Sequence, residues 1–281
     1  MTVSTLIGHR DLNTGLLCLG SMAKRSAEPI SFRIHDDGTL SSEDREQLRA
    51  RIPVSGFVDR PEADSRMEVE LHRHPACLAY RSRWIYGLKL FDVPLFGNEA
   101  DVAYCDSDIF FLRPFCDLFK WPDANCGCLF MQDWQDAYSL RPWHLSERLP
   151  MPAKLNSGLF FLRRHRYDLD FIEWLLSRNY GVFQRLFCWL EQTAWAALAW
   201  KIHGRFWSEH QIRTIQSDAC LNDKLVAGHF TFSVRGLLLQ PRDHPNRPVE
   251  AVLTEPMKRL RTTQLLHQQS IRLLRRKFAQ T

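Results

Sequence analysis

Ala103-Tyr104-Cys105-Asp106-Ser107-Asp108-Ile109-Phe110-Phe111-Leu112 is the stretch on which the reading of this sequence turns. Asp101–Cys105 reads as a buried strand. Ile109–Leu112 is a second apolar run, stopped by Arg113-Pro114. Asp106 and Asp108 stand one residue apart between the two runs. In an extended chain, residues i and i+2 point to the same side. Both carboxylates are then able to face one hard divalent cation and a diphosphate, which the two acids would otherwise repel. A solvated Asp pair in a turn is the competing reading. A turn does not call for Ile-Phe-Phe-Leu directly behind it.

Outward from this stretch, strand and helix signals alternate. Thr2–Gly8 is a β-rich run ending at glycine, and Leu12–Ala27 is helix-like. Ile30–His35 alternates Ile30, Phe32 and Ile34 as a half-buried strand, and Asp36-Asp37-Gly38 closes it as a turn. Ser42 is expected to cap a charged helix. Val54–Val58 is a third strand and Cys77–Leu90 a helix. Cys126–Met131, Leu159–Leu162 and Gly228–Val234 read as strands, and Leu169–Leu176 and Gln192–Trp200 as helices. Such alternation predicts an α/β fold with a mixed, mostly parallel central sheet flanked by helices. Ligands in such sheets lie outside the carboxyl ends of the strands. The two most polar strand exits, Asp36-Asp37-Gly38 and Asp106-Ser107-Asp108, fall there.

Four motifs in order carry a resemblance. Asp106-Ser107-Asp108 after its strand, followed by Ile-Phe-Phe-Leu-Arg-Pro, resembles the DxD motif of GT-A-fold glycosyltransferases. Asn156-Ser157-Gly158-Leu159-Phe160-Phe161-Leu162 resembles the NSG strand of family 8 retaining glycosyltransferases and their relatives. Glu191-Gln192 resembles the acidic-Gln pair that follows, and Gly228-His229-Phe230 the later His-Phe pair. The resemblance runs from the first strand to Arg235. Two departures mark a divergent relative. The acidic-Gln pair is Glu-Gln rather than Asp-Gln. Thr231-Phe232-Ser233-Val234-Arg235-Gly236 also stands where family 8 has Gly-Xaa-Xaa-Lys-Pro-Trp.

The resemblance implies a metal-dependent glycosyltransferase. Such an enzyme moves a hexose from a nucleotide-diphosphate sugar, a UDP-sugar favoured, to a glycan, lipid-linked or other hydroxyl acceptor. It implies Mn²⁺ or Mg²⁺ on Asp106, Asp108 and His229, with Asp106 also near the donor ribose. Lys89 would approach the diphosphate; a Lys between Leu88 and Leu90 suits a point-charge phosphate contact, or equally a snorkelling surface side chain. Gly8 and His9 would meet the base and ribose, Asp37 the base. Ser107, Asn156, Ser157 and Gly158 would bind the donor, with Gly158 leaving room for the sugar. Glu191 and Gln192 would be catalytic: Glu191 as a base if the reaction inverts, Gln192 on the donor face if it retains. Trp134, Trp143 and Trp207 lie in loop-rich parts, as sugar platforms or as core.

Composition narrows the alternatives. Eighteen Phe, nine Trp and six Tyr in 281 residues exclude a disordered chain. Glycine and proline contents are ordinary, and no window approaches 18 uncharged apolar residues. The eight cysteines are scattered without a CxxC pair, which argues against structural zinc and favours a cytoplasmic setting. The N-terminal residues lack the pattern of a signal peptide. Net charge is +5, yet residues 257–281 hold seven basic residues and no acid, so the body is slightly acidic and duplex nucleic-acid binding is not expected. The expected layout is a glycosyltransferase domain over 1–254 and a basic amphipathic helix over 255–281, with Leu260, Ile271, Leu274 and Phe278 on its apolar face. That helix would bring the protein to anionic lipid on the inner face of a membrane, or else pack on the domain. Two other classes compete. A nucleotidyl or phosphoryl transferase would need a glycine-rich phosphate loop, and only Gly8 follows the first strand. A non-catalytic protein acting through its basic tail would show no metal-dependent nucleotide binding.

Overall fold

The computed structural model describes residues 1–140, 149–178, 187–239, 247–261 and 263–264. Within them the strands are β1 (Thr2–Ile7), β2 (Ser31–Asp36), β3 (Val54–Val58), β4 (Asp101–Cys105), β5 (Ile109–Phe111), β6 (Phe115–Cys116), β7 (Cys128–Gln132), β8 (Leu155–Arg163), β9 (Arg205–Trp207), β10 (Ile212–Thr214), β11 (Ala227–His229), β12 (Glu250–Ala251) and β13 (Thr254–Pro256). The helices are α1 (Leu12–Arg25), α2 (Ser42–Arg51), α3 (Arg60–Glu70), α4 (Pro75–Arg83), the single turn α5 (Val93–Leu95), α6 (Leu169–Ser177) and α7 (Phe187–Lys201).

One sheet runs β3-β2-β1-β4-β8-β7-β10-β11-β5, with β9 beside β7 and β13 beside β9. β1, β2, β3 and β4 are mutually parallel. β8 is antiparallel to both β4 and β7. β7, β10 and β11 therefore run the same way as β4. As a result Gly8, Asp37, Asp106, Asp133, Thr214 and His229 all lie at one edge of the sheet. The start of β8, at Leu155-Asn156-Ser157, falls at that same edge. The expected α/β fold with a mixed, mostly parallel sheet is the fold observed.

The core sits on both faces, as strand alternation requires. Val102, Tyr104, Phe160 and Leu162 pack with Trp195 and Leu198 of α7 on one face. Ala103, Cys105, Leu159 and Phe161 pack with Leu16, Leu19 and Met22 of α1 on the other. Burying each large apolar side chain contributes about 1.5–3 kcal/mol. Trp207, read from the sequence as either a sugar platform or core, is core: it is fully buried and donates from Nε1 to the Leu118 carbonyl at 3.0 Å.

Several boundaries differ from the sequence reading. Ser41, not Ser42, caps α2, in a reciprocal capping box with Asp44. The expected helix over Cys77–Leu90 breaks. α4 ends at Arg83, Trp84 is extended, and the chain resumes as a wide π-helical turn over Leu88–Asp92. α3 is a helix that the sequence reading does not anticipate; only Ala63 and Met67 of it are buried, so its apolar stripe is thin. β11 stops at His229 and gives way to a 3-10 turn over Phe232–Leu239, instead of a strand to Val234. β8 begins at Leu155, so Asn156 and Ser157 lie within a strand.

The expected boundary at 254/255 does not divide the structure. β13 pairs with β9, the Leu260 amide donates to the Met151 carbonyl at 2.8 Å, and the Leu260 side chain is core. Leu260 is therefore not on the face of a tail helix. The rest of the expected basic helix, with Ile271, Leu274 and Phe278, lies outside the described residues, as does Trp143. No helix among the described residues is long and apolar enough to cross a membrane.

Candidate active site

The carboxyl edge of the sheet opens onto a cleft of about 720 Å³. Its charged floor is built by β4, β5 and β11. The register that pairs His229 with Ile109 sets the imidazole beside the two acids preceding Ile109. His229 Nε2 lies 3.0 Å from Asp108 Oδ1 and 3.9 Å from Asp106 Oδ2. One donor atom from each of Asp106, Asp108 and His229 lies within 4.8 Å of the others. Two carboxylates and one imidazole form a donor set suited to Mn²⁺ or Mg²⁺. Nε2 is turned to the acids, while His229 Nδ1 is buried with no hydrogen-bond partner. The residues present thus fit a divalent cation.

The same acids carry protein cations. Lys89 Nζ donates to Asp106 at 3.0 and 3.2 Å and lies 4.0 Å from Glu191. Tyr104 adds its hydroxyl to Asp106 Oδ1 at 2.5 Å. Arg235, in the 3-10 turn, donates to Asp108 Oδ2 at 3.0 Å and to Asp11 Oδ1 at 2.8 Å. Burial by itself would raise the Asp108 carboxyl, but His229 and Arg235 outweigh it and hold Asp108 at about 2. Burial would lower His229 and Lys89, yet their acidic neighbours raise both above their ordinary values. Lys89 is 5% exposed, so it is an inward-facing cation and not a snorkelling surface lysine.

The opposite wall is different. Asn156 does not present a free amide to the cleft. Its Nδ2 donates to Asp133 Oδ2 at 3.0 Å and Thr214 Oγ1 at 3.3 Å, and its Oδ1 accepts the Gly158 amide at 2.8 Å. Ser157 Oγ donates to Glu191 Oε2 at 3.0 Å. Glu191 is fully inside, and burial drives its carboxyl up to about 7 against the pull of Lys89. Burial likewise raises Asp133, although Asn156 counters it. Gln192 donates from Nε2 to the Ala137 carbonyl at 3.2 Å. Gly158 makes room for His229 more directly than for any sugar. A Cβ there would sit 2.8 Å from His229 Cε1 and 2.9 Å from Nδ1.

At the β1–β2 end of the cleft, a Cβ on Gly8 would lie 2.1 Å from the Asp37 carboxylate, so only glycine lets that acid lean over the strand end. Asp37 also accepts the Thr39 amide and hydroxyl. Asp36 takes the amides of Gly38, Thr39 and Leu40, which makes it the brace of the loop and leaves Asp37 facing the cleft. His9 is not among the residues lining the cleft; its Nδ1 is bonded to Asp44 at 2.8 Å. Gly8, Asp37, Lys89, Asp106, Ser107, Asp108, Asn156, Ser157, Gly158, Glu191, Gln192 and His229 all line it.

Sequence reasoning missed Asp133, Asp11 and Arg235. Asp133 carries the signal that picked out Asp106, an acid directly after an apolar strand. Arg235 stands six positions past His229, just before Gly236-Leu237-Leu238-Leu239. Trp134, of the three tryptophans singled out, is half exposed on the cleft wall.

No protein-family profile matches this chain, and no curated protein sequence matches it. Solved structures do. Mouse xyloside xylosyltransferase 1 matches with a TM-score of 0.58 and 11% identity, over 83% of this chain and 99% of that one. The galactosyltransferase LgtC, solved with donor and acceptor sugar analogues, matches with a TM-score of 0.57 and 14% identity, over 82% and 87%. The bifunctional glycosyltransferase WbbM matches with a TM-score of 0.52 and 12% identity, over 82% of this chain and 45% of that one. The fold of this chain is the GT-A fold of glycosyltransferases.

Proposed function

We propose that the protein is a metal-dependent glycosyltransferase that moves a hexose from a nucleotide-diphosphate sugar, a UDP-sugar favoured, to a hydroxyl of a glycan or lipid-linked acceptor. The observation that carries the reading is the meeting of Asp106, Asp108 and His229 at the carboxyl edge of the sheet, with Lys89 and Arg235 bonded to the same acids. Neighbours of the same fold, LgtC among them, support it. A divalent cation held by that group would offset the charge of the leaving diphosphate. Lys89 and Arg235 are placed to exchange a carboxylate for a phosphate oxygen, Arg235 with the forked geometry that phosphate prefers. Gly8 and Asp37 border the space for base and ribose.

In the transfer, the bond from the anomeric carbon to the diphosphate oxygen breaks and a bond to the acceptor oxygen forms. The acceptor hydroxyl proton must leave. Glu191, with its carboxyl near 7, is suited to hold that proton in an inverting reaction. Gln192 is fixed beside it to face the donor in a retaining one. A panel of UDP- and GDP-sugars, incubated with the full chain and Mn²⁺, tests the reading. Metal-dependent release of the diphosphate from one donor supports it. Failure of every donor either to react or to stabilise the fold would count against it.

The basic tail adds a peripheral contact with anionic membrane on the cytoplasmic side to this proposal. Liposome co-sedimentation tests it by comparing the full chain with one ending at Gln264. Residues through Leu260 belong to the body, so a shorter chain would test the fold instead. Equal sedimentation of the two chains would remove the membrane from the account.

A further inference from the structure

Beside the cleft lies a second, smaller cavity of about 160 Å³. The two share Asp133, Trp134, Thr214 and Gln216 as a common wall. A space this size is well below the usual range for a whole ligand, and suits one sugar ring or one charged substituent continuing from the cleft. Three features of its lining point the same way. Trp134 is 42% exposed, and no ring or hydrogen-bond partner holds its indole among the described residues. An exposed indole face next to a polar cavity is a stacking surface for the C–H face of a pyranose. Lys154 and Arg213 also line the cavity, and neither has an ion-pair partner among the described residues. Lys154 has a left-handed backbone, φ 59°, with its amide bonded to Asp136. Arg213 comes from β10, two strands from the metal-site acids. Asp133 in the shared wall is already taken up by Asn156 and by the Trp134 amide. Glu209 is the other acid of the lining, and among the described residues neither carboxylate is hydrogen-bonded to the Lys154 or Arg213 side chain, which leaves both cations open to an anionic group.

From this juxtaposition we infer that the side cavity is the acceptor's second subsite, and that it takes a sugar bearing an anionic group, carboxylate or phosphate. The inference rests on the glycosyltransferase reading for the word acceptor, but not for the binding itself. The acceptor hydroxyl lies in the cleft near Glu191 and Gln192, the next ring stacks on Trp134, and its anionic group reaches Arg213 and Lys154. Arg213 supplies a forked pair of donors and Lys154 a point charge.

Saturation-transfer NMR on the full chain with glucuronate, glucose 6-phosphate and glucose tests this, alongside calorimetry of UDP with Mn²⁺ on the same samples. The expected result is that at least one charged sugar binds tenfold or more tighter than glucose, about 1.4 kcal/mol. That preference should weaken in high salt and vanish in Arg213→Ala and in Lys154→Ala, with UDP affinity unchanged in both. Binding of glucuronate alone assigns a carboxylate, and of glucose 6-phosphate alone a phosphate. Equal binding of charged and neutral sugars, binding of none of them, or a preference that survives both substitutions would overturn the subsite. Loss of UDP binding by the unmodified chain, with the charged-sugar preference intact, would instead overturn the glycosyltransferase reading and leave an anionic-sugar site standing.

Discussion

The two walls of the cleft use the same residue types in opposite ways. At the end of β4 the acids Asp106 and Asp108 are met by cations: Lys89, His229 and Arg235. Across the cleft, Asp133 and Glu191 accept from neutral donors, the Asn156 amide and the Ser157 hydroxyl, and the nearest cation to Glu191, Lys89, stands 4.0 Å away. The consequence is electrostatic. Asp108 is held at about 2 and stays charged, whereas burial pushes Glu191 up to about 7. Charged oxygens suit a cation, which in turn can hold a diphosphate that the acids alone would repel; a carboxyl poised near neutrality suits proton traffic. Under the proposed function, one half of the site holds charge and the other moves a proton, and Gly158 lies between them, admitting His229 against β8.

The largest effect should come from the charged wall. Asp108→Ala should abolish Mn²⁺-dependent UDP binding while circular dichroism stays native. An unchanged affinity in that variant would break the division between the walls. On the neutral wall, Glu191→Gln reads the buried proton. The folded value of about 7 lies above the ordinary 4.5, so the folded state holds that proton more tightly. Stability from this group is therefore gained as pH falls from about 7 to about 4.5, and is absent above 7. The full effect is on the order of 3 kcal/mol. Denaturant melts between pH 4.5 and 8 should show this rise in the native chain, and Glu191→Gln should flatten it. Parallel curves for the two proteins would place Glu191 at its ordinary value.

Two smaller effects sharpen the comparison. In Gly158→Ala the new methyl group would press on His229, costing about 1–3 kcal/mol of stability and weakening metal-dependent UDP binding. Adding His229→Ala should recover stability without recovering binding. Recovery of neither would mean that Gly158 serves the strand and not the imidazole. Gln192→Ala should lower kcat about tenfold with little change in KM, the sign of a contact made in the transition state. A change confined to KM would make Gln192 a donor-binding residue instead.

The charged wall was the more legible in sequence, and locality explains why. Asp106, Ser107 and Asp108 announce themselves within ten residues, because apolar strands on either side frame the acids. Lys89 is visible as a lysine among leucines. The neutral wall is written in pairs too distant for any local pattern. Asn156 meets Asp133, 23 positions away, and Ser157 meets Glu191, 34 away. On the charged wall Arg235 is hidden for the same reason, because it reaches Asp108 across 127 positions. The sequence therefore shows Asn156 and Ser157 as donors facing the cleft, and not that their side chains are also bonded to Asp133 and Glu191. The same limit applies to the tryptophans: one loop-like position, Trp207, is core and another, Trp134, is exposed, a distinction made by β9 pairing with β7 and β13.

Calorimetric titration of UDP into the full chain, with Mn²⁺ and then with the metal chelated, bears most directly on the claim that this cleft binds a nucleotide diphosphate through a divalent cation. The account predicts saturable binding with Mn²⁺ and at least a tenfold loss when the metal is removed, about 1.4 kcal/mol. Equal affinity under both conditions, or no binding by the folded protein under either, would contradict it.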